Sequence, residues 1–438
     1  MFKKIVEIFS IYELRKKLLF TLALLIVYRI GTHIPVPGVN SEALIQFFAR
    51  QSGNLLGFFD MFTGGALRRL TVFGLGIMPY ISAAIILELL TVVSPKLAEL
   101  KKQGMEGRQK ITMYTRYGTV LISAIQGLGI AIGLESMRAP DGTGVVLFPG
   151  WPFRIITTIT LVAGTVFLMW LGEKITEKGV GNGISLIIFA GIVAALPNAA
   201  INTIRLFKTG EVQLIVLLLV LLLMVIVTAA IVFMEISQRR LPIQYVRRSA
   251  GYGSFVKPAT SYLPLKLNPS GVIPIIFAAS IVAFPGTLAT FSTNTLVSKI
   301  GYYFSPNSYV YYIIYIVLIV FFTYFYTSII FNPDDIAENI QKSGGVIPGK
   351  RPGKETGLFI DYTLTRLTFV GSIYLSVVAI LPMIIIRMFN MPFYFGGTSI
   401  LIVIGVGLDF MQKVEAHLIT HNYDGFLKAG KIKGRGYV

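Results

Sequence analysis

The sequence predicts an all-α polytopic membrane protein with ten transmembrane helices in two five-helix halves. Of its 438 residues, 54% are hydrophobic and only 14% are charged, and the mean hydropathy is +0.72. Average soluble domains carry about 25% charged residues. Ten apolar runs follow one another along the chain, each near the roughly 20 residues that cross a bilayer as a helix.

Hydropathy places the ten spans in order, and the tenth is the least continuous because Gly396, Gly397 and Asp409 interrupt it. The predicted spans lie near Leu18–Ile34, Thr71–Val93, Tyr117–Leu134, Ile155–Leu171, Gly183–Ile204, Leu214–Met234, Val272–Thr290, Tyr311–Ile330, Thr363–Ile386 and Phe395–Met411. An even number of spans puts both termini on the same side of the membrane.

The distribution of basic residues predicts that this side is cytoplasmic. The net charge is +18, and most of the 39 Lys and Arg residues fall on one side of the spans, as the positive-inside rule requires of a cytoplasmic face. A short link at Lys208–Glu211 divides the spans into five and five. Residues 1–208 and 209–438 then have opposite topologies, as in an inverted repeat. This repeat is inferred from topology, since the two halves show no convincing similarity of sequence.

The stretch Asn54–Val93 joins an irregular segment to a full span. Its second half, Thr71–Val93, is long and apolar, whereas its first half is short, Gly-rich and broken by Asp60, Arg68 and Arg69. Short or irregular segments at membrane depth occur only where protein or a water-filled cavity surrounds them. The stretch therefore predicts a cavity with a segment folded into it.

Two cytoplasmic loops, at about 238–268 and 331–362, are too long to be simple connections. The first shows β-like alternation around a Gly-Tyr-Gly turn. The second begins with a predicted short helix, Asp334 to Ser343, and continues as a basic tip rich in Gly and Pro. Basic loops that project from the membrane could bind anionic lipid or nucleic-acid phosphate.

Enzymatic motifs are absent from the sequence. Gly344–Lys350 has the spacing GxxxxGK, but Arg351 follows it where a phosphate-binding loop needs Ser or Thr. His417 and His421 are four residues apart and lack a third ligand, so a solvated helix face is the better interpretation. The chain has no cysteine. We therefore predict no catalytic residue, no metal site and no cofactor.

Three classes of membrane protein remain open on these observations: a passive channel, a secondary solute transporter built as an inverted repeat, and a scaffold or insertase without a pore. Ion-coupled transporters need ionisable groups near the bilayer centre. Glu235 and Asp409 lie near span ends, and Glu88 lies about one turn inside the cytoplasmic end of the second span. This scarcity of central charge argues against a coupled transporter.

Two Gly-centred apolar strings carry the most specific signal: TVFGLGIMPYISAAII at Thr71–Ile86 and MWLGEKITEKGVGNGISLIIFAG at Met169–Gly191. Together they resemble the two signature segments of the SecY family, the large subunits of bacterial protein-conducting channels. The resemblance continues through QRRLPIQYVRR, NPSGVIPIIFAASIVAFP, FNPDDIAENIQKSGGVIPGKRPGKET and FGGTSILIVIGVGLDFMQKVEAHL, and so covers essentially the whole chain in order.

The resemblance implies a multi-pass protein of the bacterial cytoplasmic membrane, with its two halves around an hourglass pore that passes unfolded polypeptides. The waist of such a pore is a ring of apolar side chains. By motif, the ring residues here are Ile77, Ile81, Ile184, Ile188, Ile276 and Ile402. A narrow hydrophobic constriction excludes water and ions, while alkyl side chains can yield around a passing chain.

The resemblance also implies a plug, a half-helix that lies against the ring from the outer side. Its residues would be Asn54, Leu55, Leu56, Gly57, Phe58, Phe59, Asp60, Met61, Phe62, Thr63, Gly64, Gly65 and Ala66. A lateral gate between spans two and three and spans seven and eight would release signal sequences and membrane segments into membrane lipid. Ser82 is its predicted polar residue, and Glu88 stands where the family often has Gln.

The implied partners are the small subunits SecE and SecG, the motor ATPase SecA, the ribosome, and signal sequences and nascent polypeptides as cargo. The driving force would come from SecA or the ribosome, since the channel hydrolyses nothing. The basic loop tips are the predicted docking sites, because ribosomal RNA is polyanionic. The docking residues are Arg351 first, then Arg239, Arg240, Arg247 and Arg248, with Lys350 beside Arg351.

Overall fold

A computed structural model describes residues 11–50, 60, 63–137, 142–210, 213–245, 259–290, 303–304, 308–388 and 397–429. Apart from one small sheet, its regular elements are helices, which confirms the predicted fold class. In chain order the helices are α1 (Tyr12–Gly31), α2 (Ser41–Arg50), α3 (Met78–Val93), α4 (Pro95–Lys102), α5 (Met105–Ser136), α6 (Trp151–Lys178), α7 (Gly183–Lys208), α8 (Leu214–Ile236), α9 (Ile273–Thr290), α10 (Tyr309–Ile330), α11 (Pro333–Lys342), α12 (Lys354–Met388) and α13 (Gly397–Ala429). The strands are β1 (Gln238–Tyr245), β2 (Ala259–Lys266) and β3 (Gly345–Val346).

Each of the ten predicted spans overlaps one of these helices. Among the described residues, six stretches pass a test of length and hydropathy for crossing a membrane, and they include α5, α6, α7, α8, α10 and α12. A seventh is added if α3 and α4, which meet at a bend of 100°, form one broken span. The helices α1, α9 and α13 coincide with the other predicted spans, but their described residues are not both long and apolar enough to meet the same criterion. The count of ten stays a prediction.

The chain divides into two compact units. The first contains the described residues up to Ala200 and those from Val406 onward, and the second contains most of those from Ile201 to Gly405. The first unit therefore includes α1 to α6, most of α7, the end of α9 and most of α13. The second includes α8, most of α9, α10 to α12, the three strands and the start of α13.

The second predicted span begins later than expected. We predicted a helix from Thr71, but α3 begins at Met78, and Thr71 to Ile77 form a bridge and turns. Gly76 has a φ of +59°, a left-handed conformation that does not continue an α-helix. Leu70 is also left-handed, with a φ of +41°, although it is a buried non-glycine residue. The prediction that residues 71–77 are helical was wrong, although hydropathy correctly indicated that most of them are buried.

The two long loops fold together. The predicted β-like alternation is confirmed: β1 buries Leu241 and Ile243 and exposes Pro242 and Gln244 between and beyond them. Strands β1 and β2 form an antiparallel hairpin, and β1 also pairs with β3 from the second loop. The predicted short helix is α11, whose first turn is capped by the Asn332 side chain.

A single hydrophobic cluster joins these pieces. It contains Leu241, Ile243, Leu265, Ile340, Ile347, Ile360, Leu364 and Leu367. The cluster draws on β1, β2, α11, the chain after β3 and the first turns of α12. We call this assembly, with residues 354–367 of α12, the loop module. The sequence indicated two separate loops, and the structure shows one folded body.

Gly345 is a tightly packed position in the loop module. A Cβ atom there would lie 2.8 Å from Ile243 Cγ2 and 3.1 Å from both Ile340 Cγ2 and Tyr245 Cε1. We expect Gly345→Ala to destabilise the module by about 1–3 kcal/mol, because overpacking forces backbone or side chains to shift. Faster trypsin cleavage within the loop module of the detergent-solubilised protein would show this.

Gly407→Ala is the control, because a methyl group added at that position in α13 would meet no atom within 4 Å. It should leave the cleavage rate unchanged. Equal protease resistance of the two variants and the native protein would contradict the packing account.

Candidate channel constriction and docking surface

Four of the predicted ring residues lie in the first unit. Ile77 caps the start of α3 and Ile81 follows one turn later, and both are buried. On α7, Ile188 is buried and Ile184 is half-buried. Ile81 and Ile188 thus lie inside the protein rather than on a lipid-facing surface.

The end of the predicted plug lies beside these helices. Thr63 packs on Gly76, the residue before Ile77: a Cβ at Gly76 would lie 2.9 Å from Thr63 Cγ2. Gly64 packs on α7, since a Cβ there would lie 3.0 Å from Gly191 Cα, one turn beyond Ile188. The described end of the plug segment therefore touches α7 and the turn that leads into α3.

Only part of the predicted plug can be placed. Asp60 and Thr63 to Ala66 are described. Thr63 to Gly65 form turns and a bend and Ala66 has no regular structure, so the predicted half-helix does not extend to Ala66. The glycines explain this, because Gly64 and Gly65 have φ values of +68° and +86°. The other predicted plug residues, Asn54, Leu55, Leu56, Gly57, Phe58, Phe59, Met61 and Phe62, lie outside the described residues.

Helix α1 anchors the end of the plug segment. The Tyr28 hydroxyl donates a hydrogen bond to the Thr63 carbonyl at 3.2 Å, and Arg29 Nη1 donates one to the Gly64 carbonyl at 2.8 Å. Tyr28 also stacks on Phe73, with ring centroids 6.2 Å apart. Sequence reasoning missed both anchors. The available signal was Arg29, a basic residue at the outer end of the first span.

Asp60 closes the segment on itself. Its Oδ1 accepts a hydrogen bond from the Arg68 backbone N–H at 2.8 Å, and its Oδ2 lies 3.6 Å from Arg68 Nε. Burial raises the pKa of Asp60 above its usual value, while the backbone N–H and guanidinium of Arg68 oppose that rise. The carboxylate that seemed to break the apolar pattern thus ties residue 60 to residue 68.

The other two predicted ring residues, Ile276 on α9 and Ile402 on α13, lie in the second unit and are buried. Their helices meet where Gly405 faces Val272, since a Cβ at Gly405 would lie 2.6 Å from Val272 Cγ1. Ile276 is one turn after Val272, and Ile402 is about one turn before Gly405. Both ring residues therefore lie one turn from the same helix contact.

The predicted gate helices pack in pairs within each unit. In the first, Gly118 of α5 faces Ala83 of α3, next to Ser82, which is half-buried. In the second, Phe277 of α9 packs edge-to-face on Phe322 of α10, with centroids 5.7 Å apart.

The described docking residues lie on the surface of the loop module. Arg239 and Arg240 are exposed on β1, and Lys350 and Arg351 are exposed at the tip before α12. The Arg351 backbone is held on both sides: its carbonyl accepts from the Thr356 hydroxyl at 2.8 Å, and its N–H donates to Glu355 Oε2 at 3.3 Å. Among the described carboxylates, none forms an ion pair with these three arginines. Arg247 and Arg248 lie outside the described residues.

The comparisons with known proteins decide the family. A family model described as SecY matches residues 71–411. The protein translocase subunit SecY of Escherichia coli strain K12 is 47% identical over 428 residues, which is 97% of this chain and 96% of that protein. The Aquifex aeolicus strain VF5 subunit is 46% identical over 422 residues, 96% of this chain and 98% of that protein.

This chain belongs to the SecY family. Solved structures share its fold: a protein-conducting channel at a TM-score of 0.64 and 18% identity, covering 96% of this chain and 95% of that one. The Sec61 chain of the canine ribosome–channel complex from the endoplasmic reticulum has a TM-score of 0.61 at 17% identity, with the same coverage. As a SecY family member the chain is a multi-pass membrane protein, a channel subunit of the protein translocase, and not an enzyme. Family membership therefore favours the channel over the solute transporter.

The packing of Gly64 generates a test of the anchored segment. Gly64→Ala should lower the free energy of unfolding by about 1–3 kcal/mol more than backbone strain alone, because the methyl group would press on Gly191 and Tyr28. Thermal unfolding of the reconstituted protein would measure the loss.

Gly210→Ala is a matched control, because Gly210 has a similar φ of +76° and nothing within 4 Å. It carries the same conformational strain without the contact. Equal losses in the two variants would show that Gly64 is not held between α1 and α7.

Proposed function

We propose that the chain forms the translocation pore of the translocase, with Ile77, Ile81, Ile184, Ile188, Ile276 and Ile402 as its constriction. The proposal extends to the plug at 54–66, which would close the constriction from the outer side. One observation carries it: Thr63 and Gly64, at the end of the plug segment, pack beside Ile77 and near Ile188. A segment anchored there is placed to cover side chains that the same helices present.

An isoleucine ring suits a channel that accepts many polypeptides. A constriction lined by apolar side chains dewets, which bars ions and small solutes without any charged gate. Alkyl side chains form no hydrogen bonds with the passing chain, so they favour no particular sequence in it.

The proposed lateral gate includes helices that carry ring residues. Helices α3 and α5 on one side and α9 and α10 on the other would part to let signal sequences and membrane segments reach lipid. Ser82 would lie on that path.

The loop module would be the docking surface for SecA and the ribosome. Its support is three exposed arginines, carried on one folded body, whose guanidinium groups form no ion pair with a described carboxylate. Lys and Arg side chains that contact ribosomal RNA release counterions, and this favours binding. Two similar folds were solved on ribosomes, the canine Sec61 complex and the yeast Ssh1 complex. SecE and SecG complete the proposed assembly, and SecA or the ribosome supplies the driving force.

The constriction predicts an ion leak when its side chains are removed. Ile81→Gly and Ile276→Gly should each raise the ion conductance of the resting, reconstituted complex by about tenfold or more, because a wider, wetter waist no longer dewets. Planar-bilayer recordings without SecA or ribosomes would measure it.

Ile86→Gly is the control, since Ile86 lies on α3 with Ile81 but is 49% exposed. The two substitutions on α3 carry the same cost in helix propensity, about 0.5 kcal/mol. A leak of the same size from Ile86→Gly, or none from either ring variant, would remove the pore assignment.

The docking surface predicts a charge-dependent loss of partner binding. Arg351→Glu should weaken ribosome binding about tenfold and reduce the slope of log affinity against log salt by about 1. Titration of reconstituted complexes with ribosomes at several salt concentrations would show both effects.

Lys208→Glu makes the same charge change at an exposed position in the last turn of α7, on the predicted outer side. It should bind ribosomes as the native protein does. If Arg351→Glu kept native affinity and salt slope, Arg351 would not belong to the docking surface.

A further inference from the structure

A buried polar cluster lies where the loop module meets the spans. Its centre is Asn268, which follows β2 and is only 1% exposed. Its neighbours are Glu235 at the end of α8, Ser270, and Gly271 just before α9. We call these four residues the joint. No residue of the joint belongs to the constriction, plug or docking surface described above.

The Asn268 amide links two spans. Its Nδ2 donates one hydrogen bond to Glu235 Oε1 at 2.9 Å and a second to the Gly271 carbonyl at 3.0 Å. Its Oδ1 accepts a hydrogen bond from the Ser270 hydroxyl at 3.1 Å. One side chain therefore fixes the end of α8 to the approach of α9, directly under the β1–β2 hairpin. A buried amide with its partners satisfied favours one geometry, since any other leaves polar groups unpaired.

A third span passes against the joint. A Cβ at Gly371 of α12 would lie 3.3 Å from the Leu267 carbonyl and 3.6 Å from Asn268 Cα, so the two backbones are in close contact. Nearly one turn along α12, the buried Tyr374 hydroxyl has no hydrogen-bond partner among the described residues. The helices α8, α9 and α12 thus converge on one buried amide.

The joint lies between the packed loop module and helix α9. On one side, the last backbone rung of the hairpin, Leu267 N–H to the Ser237 carbonyl at 2.9 Å, leads into the loop module with its single hydrophobic cluster. On the other side, α9 begins at Ile273 and presents Ile276 one turn after Val272. Movement of the loop module can reach α9 through this short segment, and the same segment packs on α12 at Gly371.

We propose that Asn268 is a positioning residue that transmits the movement of a docked partner from the loop module to α9 and the constriction. This rests on the proposed function, because it takes the loop module as the docking surface. Glu235 is the acceptor that orients the Asn268 amide. The joint determines how docking is converted into opening, and it does not determine how tightly the partner binds.

SecA-driven translocation into proteoliposomes tests this, because the concentration of SecA at half-maximal rate and the maximal rate are measured separately. Asn268→Leu removes the amide at similar volume. We expect a maximal rate about tenfold lower, with the half-maximal SecA concentration unchanged within about twofold. A raised half-maximal concentration with a native maximal rate would overturn the proposal, as would a native value for both.

Milder variants keep the test independent of misfolding. Asn268→Asp places a second carboxylate against Glu235 and should also lower the maximal rate, and Glu235→Gln in the same chain should restore it to within about threefold by supplying an amide donor. Glu235→Gln alone keeps an acceptor oxygen and should translocate at the native rate. Absence of any rescue in the double variant would contradict the role of this hydrogen bond.

Arg351→Glu in the same assay separates this proposal from the docking proposal. If Arg351→Glu raises the half-maximal SecA concentration while Asn268→Leu lowers only the maximal rate, both stand. If Arg351→Glu has no effect, docking on the loop module fails, and the transmission proposal fails with it. If Arg351→Glu raises the half-maximal SecA concentration but Asn268→Leu behaves as the native protein, the docking proposal stands and the transmission proposal fails.

Discussion

The need to satisfy backbone hydrogen bonds inside a membrane protein is the constraint on which this structure depends. Residues 63–77 are irregular, yet they lie among helices where water is scarce, so their N–H and C=O groups must find partners within the protein. Val72 donates to the Ile34 carbonyl and the Leu70 carbonyl accepts from Val36, each at 2.9 Å. Together with the bonds from Tyr28 and Arg29, these hold the segment to α1 and its extension. The start of α3, and with it Ile77, is positioned as a result.

The same constraint joins the second unit's loop module to its spans. Between the hairpin and α9, the buried Asn268 amide supplies hydrogen bonds to polar groups that water would satisfy in an exposed loop. The two sites are therefore built alike. In each, one or two polar side chains fix the irregular chain that leads into a helix carrying a proposed ring residue, and a glycine permits a close approach. These contacts fix the starts of α3 and α9, where Ile77 and Ile276 lie.

Hydropathy and turn chemistry predicted much of this fold. All ten apolar runs coincide with helices, and the alternation in the first long loop and the short helix in the second are both confirmed. Hydropathy could not tell the buried turns at 71–77 from helix, because it reports burial and not backbone conformation. The pairing of β1 with β3 was also beyond reach, since the two strands are about a hundred residues apart and a two-residue strand has no periodicity. The family resemblance supplied the candidate ring and docking residues. The anchors Tyr28, Arg29 and Asn268 depend on contacts between distant segments.

One measurement tests the central claim, that six isoleucines form one constriction around the translocating chain. The protein has no native cysteine, so each ring position can carry a single one. A polypeptide stalled in the channel and scanned with one cysteine per position should form a disulfide with all six at the same residue or its immediate neighbours, because an extended chain advances about 3.5 Å per residue. Disulfides spread over more than about ten residues of the stalled chain would place the isoleucines at different depths and contradict a single constriction.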